Sequence, residues 1–357
     1  MRAIAIVNQK GGCGKTTTAI NLSAYLALDS RKVLLIDLDP QSHASIGLDI
    51  KVEELEKSIY DIFSTSKRRN LDNVLVNIDE NLDIVPSQLI LSAVEQELAG
   101  KVGRESVLLR SIQGMQKNYD YIIVDCPPNL GLLTFNALRA CSEALIPIEM
   151  SVFSLQGVAR LLEIIEIMKL EYGHEIRPKA LATICNPRTL FANEVLENIK
   201  QHFEKNVCKT LIHDTVRLKE AAGFGLPIHK YSKKCKGAED YRALASEVIA
   251  EEKKLAVFST PIQLGPKQVE DRIILRYYDP IAQDVQIAGD FSNWKPVENI
   301  MVQQKENKIW KGTVQLKPGK YQYKFIVDGE WKIDPCNPEV MTSDVGVSNS
   351  LLIVSEH

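Results

Sequence analysis

One stretch constrains this chain more than any other: Ala3–Thr18, read as AIAIVNQKGGCGKTTT. The apolar run Ala3–Val7 has the character of a buried strand, and it breaks into a glycine-rich turn that hands over to a helix start at Lys15–Thr18. Strand, glycine loop and helix in that order form a phosphate-binding P-loop. Gly11, Gly12 and Gly14 let the backbone curl so that its N–H groups converge on phosphate oxygens. Lys15 brings a point charge to the β and γ phosphates, Thr16 a hydroxyl for Mg²⁺, and the helix N-terminus a partial positive charge. The candidate nucleotide site is therefore Gly11, Gly12, Cys13, Gly14, Lys15, Thr16 and Thr17, built for a nucleoside triphosphate; the bland alternative is a glycine turn with no ligand.

The spacing departs from G-x-x-x-x-G-K-T, since the loop reads Lys10-Gly-Gly-Cys-Gly-Lys-Thr-Thr. With a lysine at its start, the loop resembles the deviant Walker A loop of the ParA/MinD family of dimerising ATPases. The resemblance implies ATP and Mg²⁺ as cofactors and slow, partner-stimulated hydrolysis. It also implies a homodimer in the ATP state with two nucleotides sandwiched between subunits. Lys10 would reach across that interface to the partner's nucleotide.

At 357 residues the chain is long enough for two domains, each with its own core. A net charge of −3 argues against a globally basic nucleic-acid binder but leaves room for a local basic patch. The seven cysteines form no C-x-x-C pair, and with no signal-peptide pattern or membrane-length apolar run they read as reduced thiols in a cytoplasmic protein. Cys126 is read as a small buried residue.

After the first helix, Lys15 to Leu28, the run Lys32–Asp37 reads as a strand buried on both faces, and it opens into Asp37-Leu-Asp39-Pro-Gln41. Two carboxylates at a strand mouth beside a P-loop suit Mg²⁺ and its waters. By resemblance this is the first switch region, in which Asp39 polarises the attacking water and Asp37 supports the metal's hydration shell. A solvated acidic turn is the alternative. A short strand at Leu82–Ser87, an amphipathic segment at Leu89–Leu98 and a helix at Arg104–Met115 follow. The strand Tyr119–Asp125 ends in an acid before Cys126-Pro-Pro and looks like Walker B, with Asp125 holding Mg²⁺ through water. Thr16, Asp37 and Asp125 are thus the metal candidates, and Lys10, Lys15 and Asp39 the catalytic ones. Further strands at Ala144–Ile148 and Lys179–Ile184 flank a helix at Ser154–Glu171, and the alternation predicts a doubly wound, mostly parallel α/β sheet.

Resemblance to ParA/Soj proteins runs from Met1 to about Val257 and includes Thr210–Ala221, Gly225-Leu-Pro-Ile and Lys236–Tyr241. It implies non-specific DNA as a partner, with Arg188, Arg217 and Lys219 on phosphates, and it extends localisation to the nucleoid and partners to a ParB-like activating protein. Lys230, Lys233, Lys234 and Lys236 lie nearby; a solvated basic loop is the alternative. His213-Asp214 departs from the Pro-Arg of many relatives. The helix at Gly237–Val257 is followed by more chain, so no membrane anchor of the MinD kind is expected.

Residues 258–268 have the proline and turn content of a linker between an ATPase domain at 1–257 and a second domain at 269–357. There, short alternating runs at Arg272–Tyr277, Asp284–Ala288, Ile309–Leu316, Tyr321–Val327 and Ser350–Val354 predict a small all-β, immunoglobulin-like sandwich. All three tryptophans fall in this part. The segments Ala288–Trp294, Pro318–Trp331 and Asp334-Pro335 resemble the glycogen-binding domain of AMP-activated protein kinase β subunits. That resemblance makes α-glucan a partner, with Trp294 and Trp331 as stacking platforms, Lys324 and Asn349 bonding hydroxyls, and Val345 inserting into the glucan. Trp310, mid-strand, is read as core. A sandwich with no sugar affinity is the alternative. The combined reading is a partition-type ATPase carrying a glucan-binding module; the runner-up is a carbohydrate-associated regulator that does not bind DNA.

Overall fold

The computed structural model describes residues 1–64, 70–151, 156–186, 190–252, 265–269, 272–278, 282–297, 300–303, 309–337, 339–342 and 348–355, with the backbone alone at 156, 190–193 and 278. Arg188, Val345 and most of the expected linker lie outside the described residues. The chain divides into two compact units, one drawn chiefly from residues up to Pro261 and the other chiefly from Ile262 onward.

The first unit is built on seven strands: β1 Arg2–Ile6, β2 Val33–Asp37, β3 Val76–Asp79, β4 Leu82–Val85, β5 Tyr121–Asp125, β6 Glu143–Glu149 and β7 Arg177–Thr183. Their order is β3-β4-β2-β5-β1-β6-β7, parallel throughout except for the antiparallel edge strand β3. Every residue of β1, β2 and β5 is buried, which is why these strands read as continuous apolar runs. β3 escapes the sequence reading because Val-Asn-Ile-Asp is a half-exposed edge with too little apolar signal.

The first helix, α1, spans Lys15–Leu28 as expected. Its Leu22 and Leu26 join Ile6, Leu35, Ile123 and Leu145 from the strands and Tyr241 and Leu244 from the helix Lys236–Ala250 in one core. Each such side chain, fully buried, contributes about 1.5–3 kcal/mol. The expected helix at Arg104–Met115 is a 3-10 turn at Arg104–Ser106 followed by a helix at Val107–Gln113, which Gly114 ends. At the amino edge of the sheet, Arg2 pairs with Glu143 and donates to the carbonyl of Val248, tying β1 and β6 to the helix Lys236–Ala250.

The second unit holds β8 Lys267–Val269, β9 Arg272–Tyr278, β10 Val285–Gly289, β11 Val302–Gln303, β12 Ile309–Gln315, β13 Gly319–Val327, β14 Glu330–Lys332, β15 Val340–Thr342 and β16 Ser348–Val354. They form two antiparallel sheets, β11-β12-β9-β8 and β10-β13-β16-β15 with β14 on β13. Ile273, Leu275 and Trp310 from one sheet and Ile287, Phe325 and Leu352 from the other share a single core, so Trp310 is packed inside as expected. The buried Tyr323 hydroxyl donates to Asp334 at 2.6 Å, giving the motif residue Asp334 a structural role.

Candidate functional site

β1 runs between β5 and β6, so the loop after Val7 emerges at the carboxyl edge of the sheet, where open α/β folds bind ligands. Asn8 fixes the first turn: its amide donates to the carbonyl of Pro147 on β6 at 2.7 Å, and its side-chain oxygen accepts from the Lys10 N–H at 3.1 Å. Gly12 and Gly14 are left-handed, at φ 76° and 88°, where a β-carbon costs about 1–2 kcal/mol. Thr183, at the end of β7, donates its hydroxyl to the Cys13 carbonyl at 2.8 Å and holds the loop from the other side. The next residue, Ile184, is itself left-handed at φ 53°, a strained conformation for a β-branched residue.

α1 begins at Gly14 with no side-chain cap and no acidic residue in its first turn. Its leading N–H groups, the natural anion site of a helix, are thus left for a ligand. Lys15 is buried and donates to the Lys10 carbonyl at 2.9 Å, across the base of the loop. Lys10 forms an ion pair with Glu149 and also donates to the Ser151 hydroxyl at 2.6 Å.

Strand register sets the acids. Asp37 at the end of β2 stands beside Asp125 at the end of β5, whose other neighbour is Ile6 on β1. Asp37 accepts from the Ser45 N–H at 2.9 Å and the Ser45 hydroxyl at 2.7 Å. Burial pushes its carboxyl up to about 6 even against these bonds, and Asp39 adds to the rise. Asp39 turns back to cap the amide of Gln41 at 2.9 Å. Asp125 is wholly buried and neither of its oxygens makes a hydrogen bond. Burial first, then the charge of Asp37, drive its pKa well above the carboxylate range, while the nearby Thr16 hydroxyl and Lys15 ammonium oppose the rise.

An ionised carboxylate buried without donors is costly. A hydrated Mg²⁺ would supply what Asp125 lacks, so Thr16, Asp37 and Asp125 fit such an ion. Among the described residues no group of three or more His, Cys, Asp or Glu is set to hold a metal alone. Mg²⁺ commonly takes one or two protein ligands, several waters and substrate phosphates.

A cavity of about 600 Å³ runs from the P-loop past Asp39 and Thr183 to Ile212, His213 and Asp214. This end is pinned by backbone bonds, Ile212 N–H to Ala182 and Asp214 N–H to Cys185. Lys219 lines the cavity and lies 3.9 Å from Asp214. Arg217 is exposed and bound to Glu220 at 2.9 Å. Lys230 pairs with Asp79 and Lys236 with Glu239, whereas Lys233 and Lys234 are exposed with no acidic partner within 4 Å among the described residues.

In the second unit the residues expected at a sugar face, apart from Val345, lie on or beside the sheet that holds β13. Gln322, Lys324 and Ile326 alternate with the core residues Tyr323, Phe325 and Val327 along β13, and Trp331 on β14 stands opposite Ile326. Trp294 reaches the same place from a left-handed turn at Asn293-Trp294, with its ring 6.2 Å from that of Trp331 at an angle of 38°. Asn349 donates to Gln322 at 2.9 Å. Asp290, which the sequence reading missed, orients the platform by accepting from the Trp294 indole at 3.0 Å and from the Gln322 N–H at 2.7 Å.

Family models match an AAA domain over residues 1–177 and the glycogen recognition site of AMP-activated protein kinase over residues 274–357. The sporulation initiation inhibitor protein Soj of Bacillus subtilis is 41% identical over 250 residues, covering 70% of this chain and 98% of the relative. The chromosome partitioning protein ParA of Myxococcus xanthus is 39% identical over 250 residues, covering 70% and 88%. Among solved structures, cobyrinic acid a,c-diamide synthase from Mycobacterium smegmatis with bound ATP analog and magnesium superposes with a TM-score of 0.63 at 29% identity, over 71% of this chain and 96% of that one. A putative plasmid partition protein from Borrelia burgdorferi bound to AMPPNP shares the fold, with a TM-score of 0.61 at 23% identity, covering 70% and 99%. By sequence identity, strand order and P-loop, this chain belongs to the ParA/Soj family of P-loop ATPases.

Proposed function

We propose that the chain is an ATP-driven dimerising switch of the partition type that binds DNA without sequence preference in its ATP state and carries an α-glucan-binding module. The buried, unpartnered Asp125 carboxylate, set between Asp37 and the uncapped start of α1, is the observation that carries the ATPase part. ATP would place its phosphates on Gly11–Thr17, and Mg²⁺, when bound, would supply charge neutralisation to them. Lys15 would hold the phosphates, Thr16, Asp125 and Asp37 would hold the metal and its hydration shell, and Asp39 would polarise the attacking water. Lys10 leaves Glu149 to reach the partner's nucleotide, closing a homodimer around two ATP molecules, and hydrolysis reopens it. The protein acts in the cytoplasm, on the nucleoid when ATP-bound, with a ParB-like protein stimulating hydrolysis. Among the described residues no helix is long and apolar enough to cross a membrane.

A second reading is a carbohydrate-associated regulator that positions glycogen-like polysaccharide without binding DNA. Two observations favour it: the tryptophan pair is in place, while Arg217, Lys230 and Lys236 are each matched by an acid. Co-sedimentation with glycogen and with non-specific DNA, each with ATP and with ADP, separates the two. ATP-dependent retention on DNA that is lost in Arg217→Ala, together with glycogen retention lost in Trp331→Ala, supports the first reading. Glycogen retention with none on DNA selects the second, and ATP hydrolysis surviving in Lys15→Ala would remove the site assignment from both.

A further inference from the structure

Part of the cavity lining comes from residues that neither phosphate nor Mg²⁺ binding uses. Ile184, Ile212 and Leu218 give it apolar walls suited to the flat faces of a base, and His213 and Asp214 give it a polar edge. The His213 segment is rigid, since Cys185 and His213 bridge as neighbouring strands and the His213 N–H donates to Asp240 at 2.9 Å. The imidazole is fixed by the same carboxylate oxygen, with Nδ1 2.9 Å from Asp240. Asp240 is buried on the helix Lys236–Ala250, and its other oxygen lies 3.4 Å from the Lys236 ammonium. A carboxylate can only accept, so the neutral ring carries its proton on Nδ1, and Nε2 is left as a bare acceptor. No hydrogen bond involves Nε2 among the described residues.

We propose that His213 is the base-specificity residue of this nucleotide site, its Nε2 accepting a hydrogen bond from the exocyclic 6-amino group of adenine. The inference rests on the nucleotide reading of the cavity. Asp240 is the positioning residue: it sets both the ring's place and its tautomer. The next side chain, Asp214, is a second acceptor held near Lys219, so this edge presents acceptors to the base. A 6-amino group meets a partner there, whereas a 6-oxo group sets lone pair against lone pair. A site whose fixed acceptor meets a base hydrogen binds the analogue lacking it less tightly, by about the net value of one hydrogen bond.

Titration calorimetry of the full chain with four ligands tests this: MgATP, the Mg²⁺ complex of purine riboside triphosphate, which lacks only the 6-amino group, MgGTP, and inorganic tripolyphosphate. The intact protein is expected to bind ATP about three- to tenfold more tightly than purine riboside triphosphate, the range of one hydrogen bond, and to bind GTP more weakly than both. In His213→Phe the ATP advantage is expected to vanish while tripolyphosphate binds as before, showing that the fold and the P-loop are intact. Equal affinity of the intact protein for ATP and purine riboside triphosphate overturns the proposal without needing any variant. An unchanged ATP advantage in His213→Phe overturns it as well. Failure of the intact protein to bind tripolyphosphate or ATP at all would overturn the nucleotide reading itself, a result distinct from equal binding of the two nucleotides.

Discussion

The Lys10 ammonium is held by the Glu149 carboxylate of the same chain, at the carboxyl end of β6, with the Ser151 hydroxyl as a second acceptor. The proposed closed dimer needs that ammonium on the partner's nucleotide, so the pair opposes closure. Each side chain is about one-third exposed, which puts the pair near the upper end of the range for surface ion pairs, about 0.5–1 kcal/mol. Glu149→Gln is therefore expected to lower the ATP concentration for half-dimerisation by about two- to fivefold. Light scattering across an ATP titration reads this directly. Lys10→Ala should abolish ATP-dependent dimers, and an unmoved midpoint in Glu149→Gln would remove the latch.

Asp37 supplies a pH dependence. Its folded-state pKa of about 6 lies above the unfolded value, so folding favours its protonated form. The nucleotide-free protein thus keeps this contribution fully below the unfolded pKa, near 3.9, and loses it as pH rises through about 6. Mg²⁺ needs the charged form. The rise in melting temperature given by MgATP is therefore expected to shrink as pH falls from 7 to 5.5. Asp37→Asn should make this profile shallower, leaving the part that Asp125 supplies, and equal MgATP stabilisation at both pH values would contradict the assignment.

The tryptophans of the second unit separate binding from folding. Trp331 is 48% exposed and Trp310 8% exposed. Trp331→Ala should weaken glycogen binding by tenfold or more, about 1.5–3 kcal/mol of stacking and apolar contact, with little change in melting. Trp310→Ala should destabilise the unit by about 3–5 kcal/mol. Calorimetric melts and a glycogen sedimentation assay distinguish the two, and a Trp331→Ala variant that binds as well as the parent would contradict the sugar face.

Lys233 and Lys234 are exposed and have no acidic partner within 4 Å among the described residues. If they meet DNA phosphates, replacing both with Gln should reduce the slope of log affinity against log salt by about 2, since each phosphate contact contributes about 0.9. Fluorescence anisotropy in the ATP state at several salt concentrations measures it. An unchanged slope would take these two lysines off the DNA face.

Much of the ATPase unit was legible because its determinants are local. The glycine loop, the all-buried strands and the start of α1 are each written in fewer than about twenty consecutive residues, where periodicity and backbone preference act directly. The strand ends Asp37 and Asp125 could be named for the same reason. What was missed lies where one segment holds another: Asn8 on Pro147, Thr183 on Cys13, Glu149 on Lys10, and Asp240 on His213. These partners are 27 to 170 residues apart, so no local pattern marks them. Asp290 is similar: it reads as a turn residue, yet it orients Trp294 and Gln322 together.

By itself, then, the sequence determined which backbone could form: a strand, a phosphate loop and a helix, followed by alternating strands with their tryptophans. Only the tertiary structure decided how the side chains meet. Parallel register set Asp37 beside Asp125 and buried the latter without a partner, and sheet order brought β6 and β7 against the loop. Local preferences act over a few residues, whereas the pairing of strand ends depends on which strands become neighbours, and long-range packing settles that.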